Sequence, residues 1–236
     1  AEHDLGFRGS TGHGRGRMRR AAVICRYGIR RHMAPLTDRP DRQGDWQKAW
    51  VTGQASWQRS SIHHCLERFG SALLSYDPNC SPSDVSVMFP LSGASRDLII
   101  LARRGYNVVG VEMVPHATDM LFSAHGTELN PARQLFSSSH RLRSATTVDA
   151  VGTTLRILEG DFLKLCATSV LSELGIPSGF NAVFDRGALV AVLPEERPAY
   201  ARILAELVAP RGRVLLVSVE HDDFTDGSGG GPPWSV

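Results

Sequence analysis

A chain of 236 residues, 42% hydrophobic and 21% charged, has the size and polarity of one folded domain with its own core. Its net charge of +2 is too small to single out nucleic acid as a partner, and no run of 18 apolar residues exists to span a membrane. Cys25, Cys65, Cys80 and Cys166 form no CxxC pair and the nine histidines make no HExxH, so reduced thiols in a reducing compartment are expected and a metal site is not.

Residues 6–36 hold eight arginines and no acid. Such a composition cannot bury a core, so residues 1–40 are expected to be disordered and outside the domain, which then occupies 41–236. Three readings fit the arginine-rich segment: sequence upstream of a start at Met33, an organelle transit peptide, or a nucleic-acid arm. The cytoplasm is the expected compartment, or an organelle if residues 1–32 direct the chain there.

Trp46 and Trp50 are four apart and share one face of a helix that Gly53 ends. Trp50 reads as core. A second helix over 62–74 carries Cys65, Leu66, Phe69 and Leu73 on one side, and residues 78–83 link it to the first strand.

The stretch 85–112 carries the most information. An apolar run over 85–89 suits a buried strand, and Gly93 lies in the turn that follows. Ser95 can cap a helix whose first turn holds Asp97 and whose apolar surface is Leu98, Ile99, Leu101 and Ala102. Gly105 stops it, and a second apolar run from Asn107 ends in Glu112, nineteen positions after Gly93. An acid at that distance from a glycine turn accepts hydrogen bonds from ribose hydroxyls, and the helix N-terminus beside it favours an anion. NAD and S-adenosylmethionine both fit that pair. A single glycine, where a dinucleotide fingerprint has three, favours S-adenosylmethionine. The competing reading is a strand–helix–strand unit with no ligand, in which Glu112 is only a polar strand end.

Pro115 starts a helix that runs to His125, and the polar segment 130–152 reads as a surface insertion. A strand over 155–158 leads into Gly160 and Asp161, and another over 180–184 ends at Asp185. Tyr200, Ile203, Leu204, Leu207 and Val208 make an amphipathic helix with Pro198 in its first turn, followed by a strand over 214–219. Alternating strands and helices predict an α/β fold with a parallel sheet covered on both faces. Its ligands would bind beyond the carboxyl ends of the strands, where Gly93, Glu112, Asp161, Asp185 and Arg186 all fall.

Four stretches resemble one family, in order, from about residue 45 to 236. Asp185-Arg186-Gly187-Ala188-Leu189-Val190-Ala191-Val192-Leu193-Pro194 is similar to the segment after the fourth strand in thiopurine S-methyltransferases. Phe89-Pro90-Leu91-Ser92-Gly93 resembles their Pro-Leu-Cys-Gly turn, and Trp46-Gln47-Lys48-Ala49-Trp50-Val51-Thr52-Gly53 their N-terminal tryptophan helix. Gly231-Pro232-Pro233-Trp234-Ser235-Val236 resembles their Gly-Pro-Pro-aromatic segment. The resemblance implies a Rossmann-like class I methyltransferase that moves a methyl group from S-adenosylmethionine to a sulfur of a small molecule. It implies cofactor positions at Trp46, Leu91, Gly93, Glu112, Gly160, Asp161 and Arg186, catalytic residues Arg186 and Asp185, and an aromatic wall at Trp57. A small thiol is the expected partner of a monomeric enzyme. Halide and thiol methyltransferases, or relatives acting on selenium and tellurium compounds, are same-chemistry alternatives; a non-catalytic cofactor-binding relative is the alternative from another class.

Physical chemistry agrees with those roles. An aromatic face stabilises a methyl sulfonium by roughly 0.5–2 kcal/mol. A permanently charged guanidinium at the acceptor favours thiolate over thiol. The chain departs from the family at Ser92, where the family has cysteine, at Ala94, where it has lysine, and at Gln58-Arg59, where it has His-Gln. The resemblance also implies two further strands, expected after Val236, and with them a second acceptor-side arginine.

Overall fold

The computed structural model describes residues 21–28 and 42–220, apart from 56, 76–78, 131–132, 137–139, 149–152, 166 and 177–178. Their eight strands are β1 (Ala21–Gly28), β2 (Ser86–Phe89), β3 (Asn107–Glu112), β4 (Arg133–Phe136), β5 (Arg141–Ala145), β6 (Leu155–Glu159), β7 (Phe180–Arg186) and β8 (Val208–Glu220). Helices α1 (Arg42–Val51), α2 (His64–Leu74), α3 (Arg96–Arg103), α4 (Pro115–Ala124), α5 (Ala167–Glu173), α6 (Ala188–Ala191) and α7 (Arg197–Leu207) connect and cover them. The strands form one sheet in the order β1-β8-β7-β2-β3-β6-β5-β4.

From β1 to β6 the pairing is parallel, while β5 and β4 are antiparallel. After β2 the chain crosses to β3 on one side, and later to β7 on the other. The strand order therefore reverses between β2 and β7, and in open α/β sheets ligands bind at the carboxyl ends of such a switch point.

Each central strand alternates between two cores, as a two-residue repeat requires. Val87 and Phe89 face Trp50, Leu66, Leu98 and Leu121, from α1, α2, α3 and α4. Met88 faces the other way, with Leu171, Ala188, Tyr200 and Leu207 from α5, α6 and α7. Helix α3 follows the sequence closely. Ser95 Oγ accepts the Asp97 N–H at 3.3 Å, Leu98, Ile99, Leu101 and Ala102 are buried, and Gly105 ends it at φ +93°.

Two segments differ from expectation. The polar stretch 130–152 contains the hairpin of β4 and β5, which extends the sheet beyond β6. Its charges hide the pattern: Leu142 and Ala145 are buried, and Arg141 pairs with Glu159 directly opposite on β6. Ala21–Gly28, inside the segment expected to be disordered, forms β1 along the outer edge of β8. An apolar strand such as β8 is an aggregation-prone edge unless something pairs with it, and the Ala-Ala-Val-Ile-Cys run suits that place. The rest of the 1–40 segment, and the Gly-Pro-Pro-aromatic stretch at 231–236, lie outside the described residues.

Candidate functional site

The acid at the end of β3 and the glycine turn after β2 are one hydrogen-bonded unit. Glu112 is 6% exposed; its Oε2 accepts the Gly93 N–H at 2.8 Å and its Oε1 the Val114 N–H at 2.8 Å. Burial pushes its carboxyl up to about 7, against the pull of those backbone donors. The Met113 N–H is a third backbone donor to this carboxylate, which has about four acceptor sites in all. Leu91 has φ +46°, a left-handed backbone that costs a non-glycine residue of order 1–3 kcal/mol. Its neighbour Ser92 pins the turn, because the Ser92 N–H donates to Val111 O at 2.8 Å.

Three tryptophans stand over this turn. Trp57 meets Trp46 edge-on at 5.3 Å between ring centroids and Trp50 at 5.8 Å. Gly93 has φ +55°, and a Cβ placed on it would lie 2.9 Å from Trp50 Cζ2. Trp50 is thus core, as expected, and also the wall that requires glycine in the turn. The segment after Trp57 is tied down twice. Gln58 Nε2 donates to the Ala94 carbonyl, and Arg186 Nη2, from the end of β7, donates to the Trp57 carbonyl.

Arg186 therefore sits at the rim of the tryptophan cluster. Its pKa is lowered by burial, with the nearby Asp97 charge acting the other way and Arg59 adding to the fall. Asp97 is buried; its Oδ1 accepts the His63 N–H at 2.8 Å and its Oδ2 the Ser95 hydroxyl at 3.1 Å. Burial raises its pKa, and those donors and both guanidiniums partly offset the rise. His63 is held to about 4 by burial, then by the charges of Arg186 and Arg59, and is a neutral ring at neutral pH.

Asp185 points the other way. It is 1% exposed; its Oδ1 accepts the N–H groups of Ala188 and Leu189 at 3.1 Å each, and its Oδ2 accepts the Tyr200 hydroxyl at 2.6 Å. Burial raises its carboxyl to about 6. Neighbours along a strand face opposite sides of the sheet, so Arg186 turns toward Trp57 while Asp185 caps α6 and anchors α7. The two residues expected to be catalytic, Asp185 and Arg186, thus stand on opposite faces of the sheet, and Asp185 is engaged with α6 and Tyr200.

Gly160 and Asp161 follow β6 on the same end of the sheet. A Cβ on Gly160 would collide with His140 Cδ2, so the buried His140 ring packs directly on that backbone. Asp161 Oδ1 accepts the Leu163 N–H at 3.0 Å and opens a short 3₁₀ turn. Beside them Glu159 is buried with Arg141 and Arg143, the latter also pairing with Asp119 at 2.5 Å. Beside the Trp46 face of α1, Gln43, Gly44 and Gln47 line a groove of about 530 Å³ together with Pro115, His116 and Asp119. This groove adjoins the cluster through the neighbours of Trp46 and Val114, but does not include the cluster's residues.

Sequence spacing argues against a metal at His63-His64, yet His63, His64 and Cys65 bring their donor atoms within 4.8 Å of one another. The reason is local: His63 is the extended N-cap of α2, so it does not follow helical spacing. Two guanidiniums act on His63, which opposes a cation there. No described helix is long and apolar enough to cross a membrane.

The structure thus brings Trp46, Trp57, Leu91, Gly93, Glu112, Gly160, Asp161 and Arg186 to the carboxyl end of one sheet. Sequence reasoning misses Asp97, His63 and Arg59 as neighbours of Arg186. Asp97 is legible only as a helix cap, and Arg59 only as a departure from a family pattern.

The family described as Thiopurine S-methyltransferase matches residues 41–236. The thiopurine S-methyltransferase of Pseudomonas putida (strain GB-1) is 30% identical over 81% of this chain and 76% of its own length. That of Vibrio cholerae serotype O1 (strain O395) is 32% identical over 81% and 75%. A probable thiopurine S-methyltransferase of Danio rerio is 27% identical over 80% and 75%. Among solved structures, a Burkholderia thailandensis 1,6-didemethyltoxoflavin-N1-methyltransferase is similar at 17% identity and a TM-score of 0.47, over 81% of this chain and 68% of that one.

Proposed function

The chain belongs to the thiopurine S-methyltransferase family, and from that premise we propose that it methylates the sulfur of a small-molecule thiol, with Glu112 at the ribose of S-adenosylmethionine and Arg186 at the acceptor. The cofactor supplies an electrophilic methyl group on a sulfonium. The residues present suit it. Glu112 is anchored by the backbone N–H groups of Gly93, Val114 and Met113 and keeps acceptor capacity for a ribose hydroxyl. Trp46, Trp50 and Trp57 offer ring faces and edges beside the Gly93 turn, where a sulfonium gains cation–π attraction.

The chain's own residues have three tasks. The β2 turn, with Leu91 and Gly93 in left-handed conformations, fixes the backbone at the switch point. The tryptophan cluster excludes water, which strengthens every charge interaction inside it. Arg186 gives one N–H to the Trp57 carbonyl and keeps the others for the acceptor. Its fixed charge lowers the cost of holding a thiolate, so the attacking sulfur arrives ionised without a general base. His63, neutral and tied to Asp97 through its backbone, is not needed as a proton acceptor. Acceleration then comes chiefly from holding the two sulfurs in line across the methyl carbon.

The observation that carries this reading is the Arg186–Trp57 hydrogen bond, because it joins the acceptor-side cation to the aromatic cluster. The test is methyl transfer from radiolabelled S-adenosylmethionine to aromatic thiols, thiopurines, iodide and selenite. Methylated thiols or thiopurines as the main product support the reading. Transfer to iodide or selenite alone, or cofactor binding with no transfer to any acceptor, overturns it.

A further inference from the structure

We propose that Arg59 binds an anionic group on the acceptor, and so selects thiols that carry a second negative charge, such as a ring carboxylate. This rests on the thiol-methylation reading above and extends it to the class of acceptor.

Residues 57–59 are held from two sides. The Trp57 carbonyl takes the Arg186 guanidinium and the Gln58 amide reaches the Ala94 carbonyl. These two anchors come from the ends of β7 and of the β2 turn, on either side of the switch point. Arg59 is the next residue and cannot be far from either. The anchors on Trp57 and Gln58 thus hold the Arg59 backbone beside Arg186 and the β2 turn, and its charge acts on His63, Asp97 and Arg186, which belong to three different elements.

Arg59 is exposed, and among the described residues it has no hydrogen-bond or ion-pair partner. Asp97, the carboxylate in reach of its field, already has one oxygen on the His63 N–H and the other on the Ser95 hydroxyl. His63 adds no charge, since it is neutral above about pH 4. The site therefore holds two guanidiniums against one buried acid, and the cofactor's sulfonium adds a third positive charge. A thiolate offsets one of the two uncompensated charges. A second anionic group on the acceptor offsets the other, and Arg is the side chain that grips a carboxylate with two parallel hydrogen bonds.

The experiment compares 4-mercaptobenzoate with its methyl ester as acceptors, in the wild-type chain and in Arg59→Ala and Arg59→Lys. The readout is the ratio of kcat/KM for the carboxylate over the ester, and then the change in that ratio on substitution. The ester and the carboxylate differ in thiol acidity, but that difference cancels when ratios are compared between variants. Arg59→Ala should lower the ratio by about tenfold, Arg59→Lys by less, and the wild-type ratio should fall as salt is raised. An unchanged ratio in Arg59→Ala overturns the proposal. Calorimetric binding of 4-(methylthio)benzoate to the same proteins separates the anion site from the methyl transfer. Binding that is lost in Arg59→Ala, with no turnover of either thiol, retains the anion site and rejects thiol methylation. Binding that is equal in both, with good turnover, rejects the anion site alone.

Discussion

Glu112 Oε2 lies 2.8 Å from the Gly93 amide nitrogen, so the acid that ends β3 and the turn that follows β2 are set against each other before any ligand arrives. A carboxylate fixed in this way loses little freedom on receiving a ribose, and preorganisation of that kind converts directly into affinity.

Glu112 also predicts a pH dependence. Its carboxyl is raised from 4.5 to about 7 by burial, so at neutral pH much of it is protonated. In the ribose role proposed for Glu112, the hydroxyls would donate to the ionised form, and cofactor binding should therefore release a proton. Affinity should climb as pH rises from 6 to 7 and level off above that. Calorimetry in buffers of different ionisation heat measures the proton count directly. Glu112→Gln should flatten the profile and weaken binding by about 1.5–3 kcal/mol, the worth of hydrogen bonds to a charged group. For stability the sign is opposite. Between pH 4.5 and 7 the native chain holds a proton that the unfolded chain has lost, so the contribution of Glu112 is full below 4.5 and disappears as pH climbs to 7. Urea midpoints of wild type should thus fall relative to those of Glu112→Gln across that window.

Asp185 is expected to matter to folding and not to chemistry. Three donors converge on its carboxyl, two from the start of α6 and one from Tyr200. Tyr200→Phe leaves a buried acceptor short of a donor and should cost about 1–3 kcal/mol. Asp185→Asn should cost a similar amount, and in a double-mutant cycle the two changes should be strongly non-additive. Asp185→Asn should shift the melting temperature while leaving the pH dependence of kcat in place. A variant with native stability and a collapsed kcat would restore Asp185 to the chemistry.

Glycine requirements separate backbone from packing. Gly187 has φ +84° and nothing within 4 Å of the place a Cβ would take, whereas Gly93 has φ +55° and Trp50 at 2.9 Å. Alanine at Gly187 meets only the left-handed penalty of about 1–2 kcal/mol. Alanine at Gly93 meets a comparable penalty plus roughly 1–3 kcal/mol of overpacking. Gly93→Ala should be the less stable of the two by denaturant titration, and the only one of the two with sharply weaker cofactor binding. Gly160→Ala should be destabilised through His140, and His140→Ala in the same chain should recover part of the loss.

The parallel strands, the β2 turn and the acid at β3 can be read from residues 85–112 because each level of that stretch agrees with the next. Continuous apolar runs, a cap at Ser95 and a stop at Gly105 leave one interpretation. The β4–β5 hairpin is hidden because Arg141 and Arg143 are compensated by Glu159, which lies on another strand and cannot be seen locally. The packing of Asp185 is hidden for a related reason. The family resemblance names Asp185 beside Arg186, while the strand's own alternation sends the two side chains to opposite faces, and the partner Tyr200 is fifteen residues away on another element. Arg59 and Asp97 show the same limit at the site. Their relation to Arg186 depends on loops that converge from three elements, which no periodicity encodes.

Arg186 gives the sharpest test of the chemistry. Its guanidinium donates to the Trp57 carbonyl and lies within the field of Asp97, so its position and charge have separate supports. Arg186→Lys keeps the charge and loses the planar fork, and an ammonium cannot hold the carbonyl and an acceptor together. If the residue stabilises a thiolate, the loss in kcat/KM should be largest for weakly acidic thiols and shrink for acidic ones, which ionise without help. A plot of log kcat/KM against acceptor pKa should therefore steepen in the variant. Cofactor affinity, measured separately by calorimetry, should change by less than about 1 kcal/mol if, as proposed, the ribose is held by Glu112. A loss of rate that is the same for every thiol, matched by an equal loss of cofactor affinity, would move Arg186 from the acceptor to the cofactor. Hydrogen bonding by the arginine would then serve to hold Trp57 over the sulfonium, and the thiolate would have to be stabilised by the sulfonium itself.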